Sequence, residues 1–168
     1  MPIDEQSPVA SIAIVDDDET FAILLAYNIE ALGFATRWIR RGIDAVPICA
    51  AELPRAVVLD WSLAGVSGRS VLQAMRAHPK TRGLPVLAIT DGTDPRDVPL
   101  AIASGADCCL CKPFPLPGFL QEIAMLAGRP HGTEGRGVIA AKYPADRKSM
   151  PMHPDADRNA FDRGQQPR

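Results

Sequence analysis

Five short apolar runs, each followed by a stretch with helical periodicity, constrain the fold of this chain more than any other feature. They are predicted to form β-strands at Ser11–Val15, Ala35–Ile39, Ala56–Leu59, Pro85–Ile89 and Asp107–Cys111. The runs show little alternation of apolar and polar residues, which is typical of strands covered on both faces. Because these strands alternate with helices, the sequence predicts an α/β fold with a doubly wound, five-stranded parallel sheet and right-handed crossovers.

The stretches between the runs carry apolar residues at helical spacing. In the first helix we expect Phe21, Leu25 and Leu32 to share the buried face. The fourth stretch contains two prolines. Pro95 suits the first position of a helix, whereas Pro99 lies further inside and is expected to delay or break that helix.

Composition divides the chain into three parts. Residues 11–128 hold the alternating runs and are predicted to form one domain, preceded by an extension at residues 1–10. Residues 129–168 are rich in Pro, Gly, Arg and Asp and have almost no apolar periodicity. A disordered tail is expected there, because such a segment buries too little apolar surface to offset its ordering entropy. Within it, residues 138–143 form the stretch expected to fold or dock on a partner.

Charge and hydropathy exclude several classes of protein. The net charge of −2 does not favour direct binding to nucleic acid. The sequence has no run of about 18 apolar residues to span a membrane. Its first residues, MPIDEQSP, lack the apolar core of a secretory signal, so a cytoplasmic location is expected. The four cysteines lack metal-ligand spacing and are interpreted as small, reduced residues, three of them in a buried strand: Cys49, Cys108, Cys109 and Cys111.

Polar residues stand at the ends of four of the predicted strands. They are Asp16, Asp17 and Asp18 after the first, Asp60 after the third, Thr90 after the fourth and Lys112 after the fifth. In a parallel sheet the carboxyl ends of the strands lie along one edge, where ligands of doubly wound folds bind. These side chains are therefore predicted to converge on one crevice.

The chemistry of this set indicates phosphoryl transfer. Carboxylates packed together raise one another's pKa unless a cation neutralises them, and a hard divalent ion such as Mg²⁺ suits oxygen ligands of this kind. A carboxylate can also act as a nucleophile and form an aspartyl phosphate. The ammonium of Lys112 and the hydroxyl of Thr90 can then contact the phosphoryl oxygens.

Four segments, IVDDDE, VVLDWSLAGVSG, LAIT and GADCCLCKPF, together resemble the receiver domains of response regulators in two-component signalling. The resemblance covers roughly residues 9–128. Trp61 is similar to the residue found after the acceptor in receivers of winged-helix transcription regulators, although no output domain is expected in this chain. The resemblance implies a flavodoxin-like (βα)5 receiver fold with strand order 2-1-3-4-5.

The same resemblance assigns roles within the crevice. It implies that Asp60 accepts the phosphoryl group and that Thr90 and Lys112 grip the phosphoryl oxygens. It further implies a Mg²⁺ site whose ligands are Asp16, Asp17, Asp60 and the backbone carbonyl of Ser62. It also implies a cis peptide bond between Lys112 and Pro113.

The resemblance also implies the partners. The phosphodonor is expected to be a sensor histidine kinase or a histidine phosphotransfer protein, and the output is expected to run through contacts with a downstream protein in a phosphorelay. A homodimer through the face of the fourth helix, fifth strand and fifth helix is compatible with it. Self-phosphorylation and autodephosphorylation are the only reactions expected, so the chain is not predicted to be an enzyme.

The chain departs from the family pattern at several positions, of which Asp91 and Cys109 bear most on phosphorylation. Asp91 directly follows Thr90, at a position where the family usually has a small residue. Its carboxylate is expected to slow phosphorylation or to speed the loss of the phosphoryl group. Cys109 stands where an aromatic switch residue is usual, and its side chain is too small to swing as a ring does. These departures keep open a second hypothesis, a degenerate receiver that binds partners without phosphorylation.

A third hypothesis is an enzyme. The spacing of Asp16, Asp18 and Thr20 resembles the first motif of haloacid-dehalogenase-type phosphatases. That family also needs an acidic pair after its lysine, and between Lys112 and Glu134 the sequence offers only Glu122, in the last predicted helix. This reading also leaves Asp60 without a role.

Overall fold

The computed structural model describes residues 10–129 of the 168. The expectations for the N-terminal extension and for the tail with its 138–143 stretch fall on residues 1–9 and 130–168, outside the described part. Across residues 10–129, no helix combines the length and the apolar character that crossing a membrane requires.

Five β-strands alternate with five α-helices along the described residues. The strands are β1 Ser11–Val15, β2 Ala35–Ile39, β3 Ala56–Asp60, β4 Val86–Thr90 and β5 Cys108–Cys111. The helices are α1 Glu19–Glu30, α2 Ala45–Glu52, α3 Gly68–Ala77, α4 Asp97–Ala103 and α5 Leu116–Ala127. A short 3-10 turn, Gly42–Asp44, leads into α2.

All strand pairs are parallel and the sheet order is β2-β1-β3-β4-β5. The predicted α/β, doubly wound, flavodoxin-like receiver fold is therefore confirmed. Every residue of β3 and β4 is buried, which explains why these runs are apolar without alternation. The register pairs Asp60 with Ile89 and Thr90 with Cys111, so the polar ends of neighbouring strands lie side by side.

The sheet separates two apolar cores. Successive side chains of a strand point to opposite faces, so Ala13 and Val15 of β1 pack towards α2, α3 and α4, whereas Ile12 and Ile14 pack towards α1 and α5. Cys108 and Cys109 likewise fall in different cores, and both are buried. The interpretation of these cysteines as small core residues agrees with the structure, and all four cysteines of the chain are free thiols.

Some boundaries differ from the prediction. Strand β3 continues to Asp60, while β4 and β5 each begin one residue later than expected. Pro85 cannot donate to a strand ladder, although its carbonyl accepts a hydrogen bond from Val57 N at 2.8 Å. Asp107 bonds Val86 through both its backbone and its side chain: its N–H donates to the Val86 carbonyl at 2.8 Å, and its Oδ2 accepts from Val86 N at 2.9 Å.

The assignment of Leu32 to the buried face of the first helix is wrong. Helix α1 ends at Glu30, and Leu32 lies in the turn that follows, with 43% of its surface exposed. Pro95 is not a helical residue either, since α4 begins at Asp97. The expected delay of this helix is confirmed, because Pro99 lies in its first turn. The backbone N–H groups of a first turn have no partner within the helix, so the proline costs no helical hydrogen bond.

The guanidinium of Arg76 stabilises the amino-terminal edge of the sheet, opposite the edge where Asp60 and Thr90 lie. Arg76 of α3 donates to the carbonyl of Gly105 at 2.7 and 3.0 Å and to the carbonyl of Leu84 at 2.9 Å. Its Nη2 also pairs with Oδ2 of Asp107 at 3.1 Å, and both side chains are about 15% exposed. Arg76 therefore ties the end of α3 to the loops that lead into β4 and β5.

Candidate functional site

Three carboxylates meet where β1 and β3 end. One oxygen from each of Asp16, Asp17 and Asp60 lies within 4.8 Å of the others. Asp16 and Asp60 are buried, with 2% and 5% of their surface exposed, and Asp17 is half-buried. The structure thus brings together the three carboxylates that the sequence predicted for the metal.

Hydrogen bonds from neighbouring segments fix the two aspartates after β1. Oδ1 of Asp16 accepts a hydrogen bond from Asp18 N at 2.8 Å, and the Asp16 carbonyl accepts from Trp38 Nε1 at 2.8 Å. Oδ2 of Asp17 accepts from Ala64 N at 3.2 Å, which links it to the loop after β3. These bonds hold the pair in place from both sides of β1.

Asp18 takes a different role from its two neighbours. Its side chain accepts a hydrogen bond from Phe21 N at 3.1 Å and caps the amino end of α1. A cap satisfies one of the backbone N–H groups that a helix leaves unpaired at its start. The acidic run after β1 therefore divides into two site residues and one helix cap.

Asp60 is contacted on both oxygens. Lys112 Nζ lies 3.2 Å from Oδ1, and Ser62 N donates to Oδ2 at 3.2 Å. The ammonium of Lys112 also lies 4.0 Å from the centroid of the Phe21 ring, a cation–π contact. The predicted cis peptide between Lys112 and Pro113 is present. The sequence predicts a helical position for Phe21, but helical spacing does not indicate its contact with the lysine.

Thr90 contributes a buried hydroxyl. Its side chain is 0% exposed, and no group among residues 10–129 forms a hydrogen bond with its Oγ1. A buried hydroxyl without a protein partner is free to donate to an acceptor on a bound group. Since Thr90 ends the strand beside that of Asp60, this hydroxyl is available to an anion placed on the carboxylate.

Burial dominates the electrostatics of the carboxylates. It raises the pKa of Asp16 from 3.8 to about 6, partly offset by the Asp18 N–H, with Asp60 raising it further. Burial likewise raises the pKa of Asp60, while the charge and hydrogen bond of Lys112 lower it. Within residues 10–129, Lys112 is the one cation paired with this group of three carboxylates, so negative charge predominates in the pocket.

This donor set fits a metal ion. Three carboxylate oxygens close enough to share one ion are the ligands that hard divalent cations prefer, and such an ion would relieve their mutual repulsion. Among the residues that the structure describes, this is the one such cluster of metal-ligating groups, and it contains no cysteine.

Helix α3 packs closely against the end of β3. A Cβ at Gly68, the first residue of α3, would lie 2.5 Å from the carbonyl oxygen of Asp60 and 2.7 Å from Cα of Trp61. Any side chain at this position would force the backbone of Asp60 and Trp61 away from α3. The glycine therefore permits the close approach that fixes the backbone of Asp60.

The chain matches the family described as the response regulator receiver domain over residues 12–124. It is 36% identical to the phosphate regulon transcriptional regulatory protein PhoB of Rhizobium meliloti (strain 1021) over 118 residues, which are 70% of this chain and 52% of that protein. The chain thus spans about half the length of the curated relatives it matches.

Solved structures share the fold. The signal receiver domain of a DNA-binding response regulator (merR) from Colwellia psychrerythraea 34H has a TM-score of 0.66 at 27% identity, covering 71% of this chain and 99% of that one. The receiver domain of the sensor histidine kinase PA1611 from Pseudomonas aeruginosa PAO1, with magnesium coordinated in its active site cleft, also has a TM-score of 0.66, at 22% identity, covering 72% and 99%.

Receiver domains are signalling phospho-acceptors rather than catalytic enzymes, and the pocket of Asp16, Asp17 and Asp60 is typical of their acceptor site. Because the family match takes in 113 consecutive residues, nearly all of the described chain, the protein belongs to the response regulator receiver domain family.

Proposed function

We propose that Asp60 accepts a phosphoryl group from the phosphohistidine of a sensor histidine kinase or a histidine phosphotransfer protein, in a Mg²⁺-dependent reaction. One observation carries the proposal: Asp60 is a buried carboxylate held by Lys112 at 3.2 Å, within 4.8 Å of two further carboxylates. Residues 11–128 form the receiver in this proposal, with residues 1–10 and 129–168 outside it, and the location is cytoplasmic.

The transfer itself needs little from the protein beyond positioning and charge. An oxygen of Asp60 attacks phosphorus, the bond between phosphorus and the imidazole nitrogen breaks, and the nitrogen leaves with its electron pair. Lys112 then contacts a phosphoryl oxygen, and the hydroxyl of Thr90 donates to another. The buried Thr90 Oγ1 supports this role, since it gains the acceptor that residues 10–129 do not provide.

Asp16, Asp17 and Asp60 would hold the magnesium ion, with the backbone carbonyl of Ser62 as a further ligand. When bound, the ion would supply charge neutralisation for the phosphoryl oxygens. The crowding of the three carboxylates supports this assignment, as does the magnesium coordinated by the PA1611 receiver domain, which shares the fold.

The outer face of α1 suggests where the phosphodonor docks. Ile23, Leu24 and Tyr27 are 57%, 51% and 75% exposed, although helices of soluble proteins usually turn polar residues outward. Asp18, the cap of α1, directly follows the two acidic site residues, so a partner that reaches Asp60 also lies near this face. We therefore assign the three apolar side chains to the phosphodonor, and the α4–β5–α5 face to a downstream protein or a second copy.

Labelling with a small phosphodonor tests the acceptor. Incubation with acetyl phosphate and Mg²⁺ is expected to add one acid-stable, base-labile phosphoryl group, located at Asp60 by mass spectrometry. Asp60→Asn should abolish the gain, and Asp94→Asn, a change at a half-buried carboxylate that pairs with Arg96 outside the cluster, should not. Equal labelling of wild type and Asp60→Asn would contradict the proposal and favour the degenerate receiver.

A second experiment tests the docking face. With a histidine phosphotransfer protein that labels the wild type, Tyr27→Ser should slow transfer about tenfold, as truncation of a central aromatic contact does in other interfaces. Its rate with acetyl phosphate should stay unchanged. Ile43→Ser, at a side chain that is 67% exposed but outside α1, is the matched control. Equal slowing with both donors would show that Tyr27 supports the fold instead.

A further inference from the structure

Asp91 is fixed on the rim of the acceptor pocket. It follows Thr90 at the end of β4 and is exposed to solvent. Its Oδ1 accepts two hydrogen bonds from Thr93, from N at 2.9 Å and from Oγ1 at 2.7 Å. The other oxygen, Oδ2, lies 3.3 Å from Oγ of Ser62 across the mouth of the pocket. The carboxylate is thus held by its own turn and directed towards the loop after β3.

Ser62 connects this carboxylate to the acceptor. Its N–H donates to Oδ2 of Asp60 while its hydroxyl donates to Asp91, so a single residue separates the two carboxylates. The turn that carries Asp91 is itself packed. Gly92 has φ of +73°, and a Cβ there would lie 2.5 Å from Sγ of Cys111. The turn therefore rests directly on the end of β5, beside Lys112.

Asp91 adds a negative charge to a pocket that already contains three carboxylates. An exposed aspartate is ionised at neutral pH, and the hydrogen bonds from Thr93 favour the charged form further. These bonds lower the pKa of Asp91, and the charge of Lys112, which lies within electrostatic reach, lowers it as well. An anion entering the pocket from solvent passes this fixed charge, and the repulsion it meets grows in proportion to its own charge.

We infer that Asp91 is a specificity-determining residue that selects phosphodonors by net charge and disfavours small dianionic donors. The inference rests on the proposed function, because it concerns donors for Asp60. A protein donor is affected less, since it gains binding energy from apolar contacts away from the rim. Asp91 in this way favours transfer from a docked partner over labelling by free acyl phosphates.

Two small donors of different charge test the inference. Near neutral pH, acetyl phosphate is a dianion, whereas phosphoramidate carries about one net negative charge because its nitrogen is protonated. Asp91→Asn removes the charge but keeps an oxygen for Thr93. The ratio of the acetyl phosphate rate to the phosphoramidate rate should rise about fivefold in this variant at low salt, the effect of one unit charge at close range in water. The increase should shrink as salt is added.

Asp94→Asn is the matched control. It makes the same change in net charge on the same loop, but Asp94 pairs with Arg96 at 2.7 Å and has no hydrogen bond to Ser62. Its rate ratio should equal that of the wild type. Sulfate, a dianion that cannot be transferred, gives a measurement apart from phosphorylation. Followed through the amide signal of Ser62, sulfate should bind Asp91→Asn about 25-fold more tightly than the wild type at low salt, because each of its two charges contributes the fivefold effect of one.

The outcomes separate the two proposals. If both donors label Asp60 and Asp91→Asn leaves the ratio and the sulfate affinity unchanged, the inference is overturned while the proposed function stands. An equal rise in the ratio for Asp94→Asn would also overturn it, because the effect would then come from overall charge. If neither donor labels the wild type at Asp60, the proposed function fails and the inference fails with it.

Discussion

Nε1 of Trp61 donates a hydrogen bond to Oδ1 of Asp97 at 3.2 Å. Trp61 directly follows the acceptor, and Asp97 is the first residue of α4. The indole is only 7% exposed and lies in the same core cluster as Cys109. The side chain of Trp61, next to Asp60, is thus hydrogen-bonded to helix α4. Position 109 of this receiver carries a cysteine and no aromatic ring.

We expect the phosphorylated state to order the segment from Asp91 to Ser104. Helix α4 has a single buried residue, Ala101, among its seven, and no side chain caps its start, so it is weakly held. Hydrogen exchange between residues 91 and 104 should slow when Mg²⁺ and beryllofluoride, a phosphoryl mimic, bind. In Trp61→Phe, which lacks the indole N–H, the slowing should be less than half as large.

Asp94→Ala serves as the control for this exchange experiment, since Asp94 also precedes α4 but bonds Arg96 rather than Trp61. It should show the slowing of the wild type. Unaltered exchange in the wild type, with the mimic demonstrably bound, would show that this segment does not respond to the acceptor. A ligand shifts such an equilibrium only through its different affinity for the two states.

Removing one carboxylate should stabilise the metal-free protein. Asp17 raises the pKa values of both Asp16 and Asp60 through its charge, so the three repel one another without a cation. Asp17→Asn should raise the melting temperature by about 3–5 °C, the shift that roughly 1 kcal/mol produces. It should also weaken Mg²⁺ binding in a calorimetric titration. A lower melting temperature with unaltered Mg²⁺ affinity would mark Asp17 as structural.

The pocket should make stability depend on pH. The pKa of Asp16 is about 6 in the folded protein against 3.8 ordinarily, so the folded state binds its proton more tightly than the unfolded state does. Its contribution to stability is therefore fully present below about pH 4 and is lost as pH rises to about 6, with a magnitude of about 2–3 kcal/mol. Asp60 contributes with the same sign.

Comparison with Asp16→Asn isolates this effect in urea unfolding without metal. The stability difference between variant and wild type should grow between about pH 4 and pH 6 and then stay level. Saturating Mg²⁺ should reduce it, because the cation stabilises the ionised carboxylates. A difference independent of pH would show that Asp16 has an ordinary pKa.

Arg76 should be important for stability although it lies far from the acceptor. Arg76→Ala leaves the carboxylate of Asp107 and the carbonyls of Gly105 and Leu84 without its hydrogen bonds, and should cost about 2–4 kcal/mol of unfolding free energy. Arg76→Lys should recover little of this unfolding free energy, because an ammonium cannot reproduce the several hydrogen bonds that the planar guanidinium donates. Arg69→Ala, at an exposed position of the same helix, should change stability by less than about 0.5 kcal/mol. Urea denaturation compares the three.

Removal of residues 130–168 should leave phosphorylation of Asp60 unchanged, because every group assigned to the acceptor site lies within residues 10–129. The truncation should end after Arg129, whose Nη1 contacts Oδ1 of Asp107 at 3.3 Å. The rate of labelling by acetyl phosphate and the midpoint of urea unfolding should match those of the full chain. A clear loss of either would show that the removed residues support the domain.

The sequence alone determined the layered fold and the crevice. Strands covered on both faces need apolar residues throughout, so runs such as Ala56–Leu59 are recognisable without any knowledge of their neighbours. Parallel strands end at one edge of the sheet, so their sequence positions alone predict that Asp60, Thr90 and Lys112 lie along the same edge. The strand order came from the family resemblance, because periodicity does not say which strands pair.

Only the tertiary structure decided how individual side chains are used. Three consecutive aspartates follow β1, and nothing local shows that Asp18 turns to cap α1 while the other two face the pocket. Three further features cannot be predicted from the sequence. They are the end of α1 before Leu32, the Ser62–Asp91 contact across the rim and the Trp61–Asp97 hydrogen bond. Each joins groups on separate loops or depends on a competing turn, so its free energy is set by three-dimensional packing and not by residue spacing.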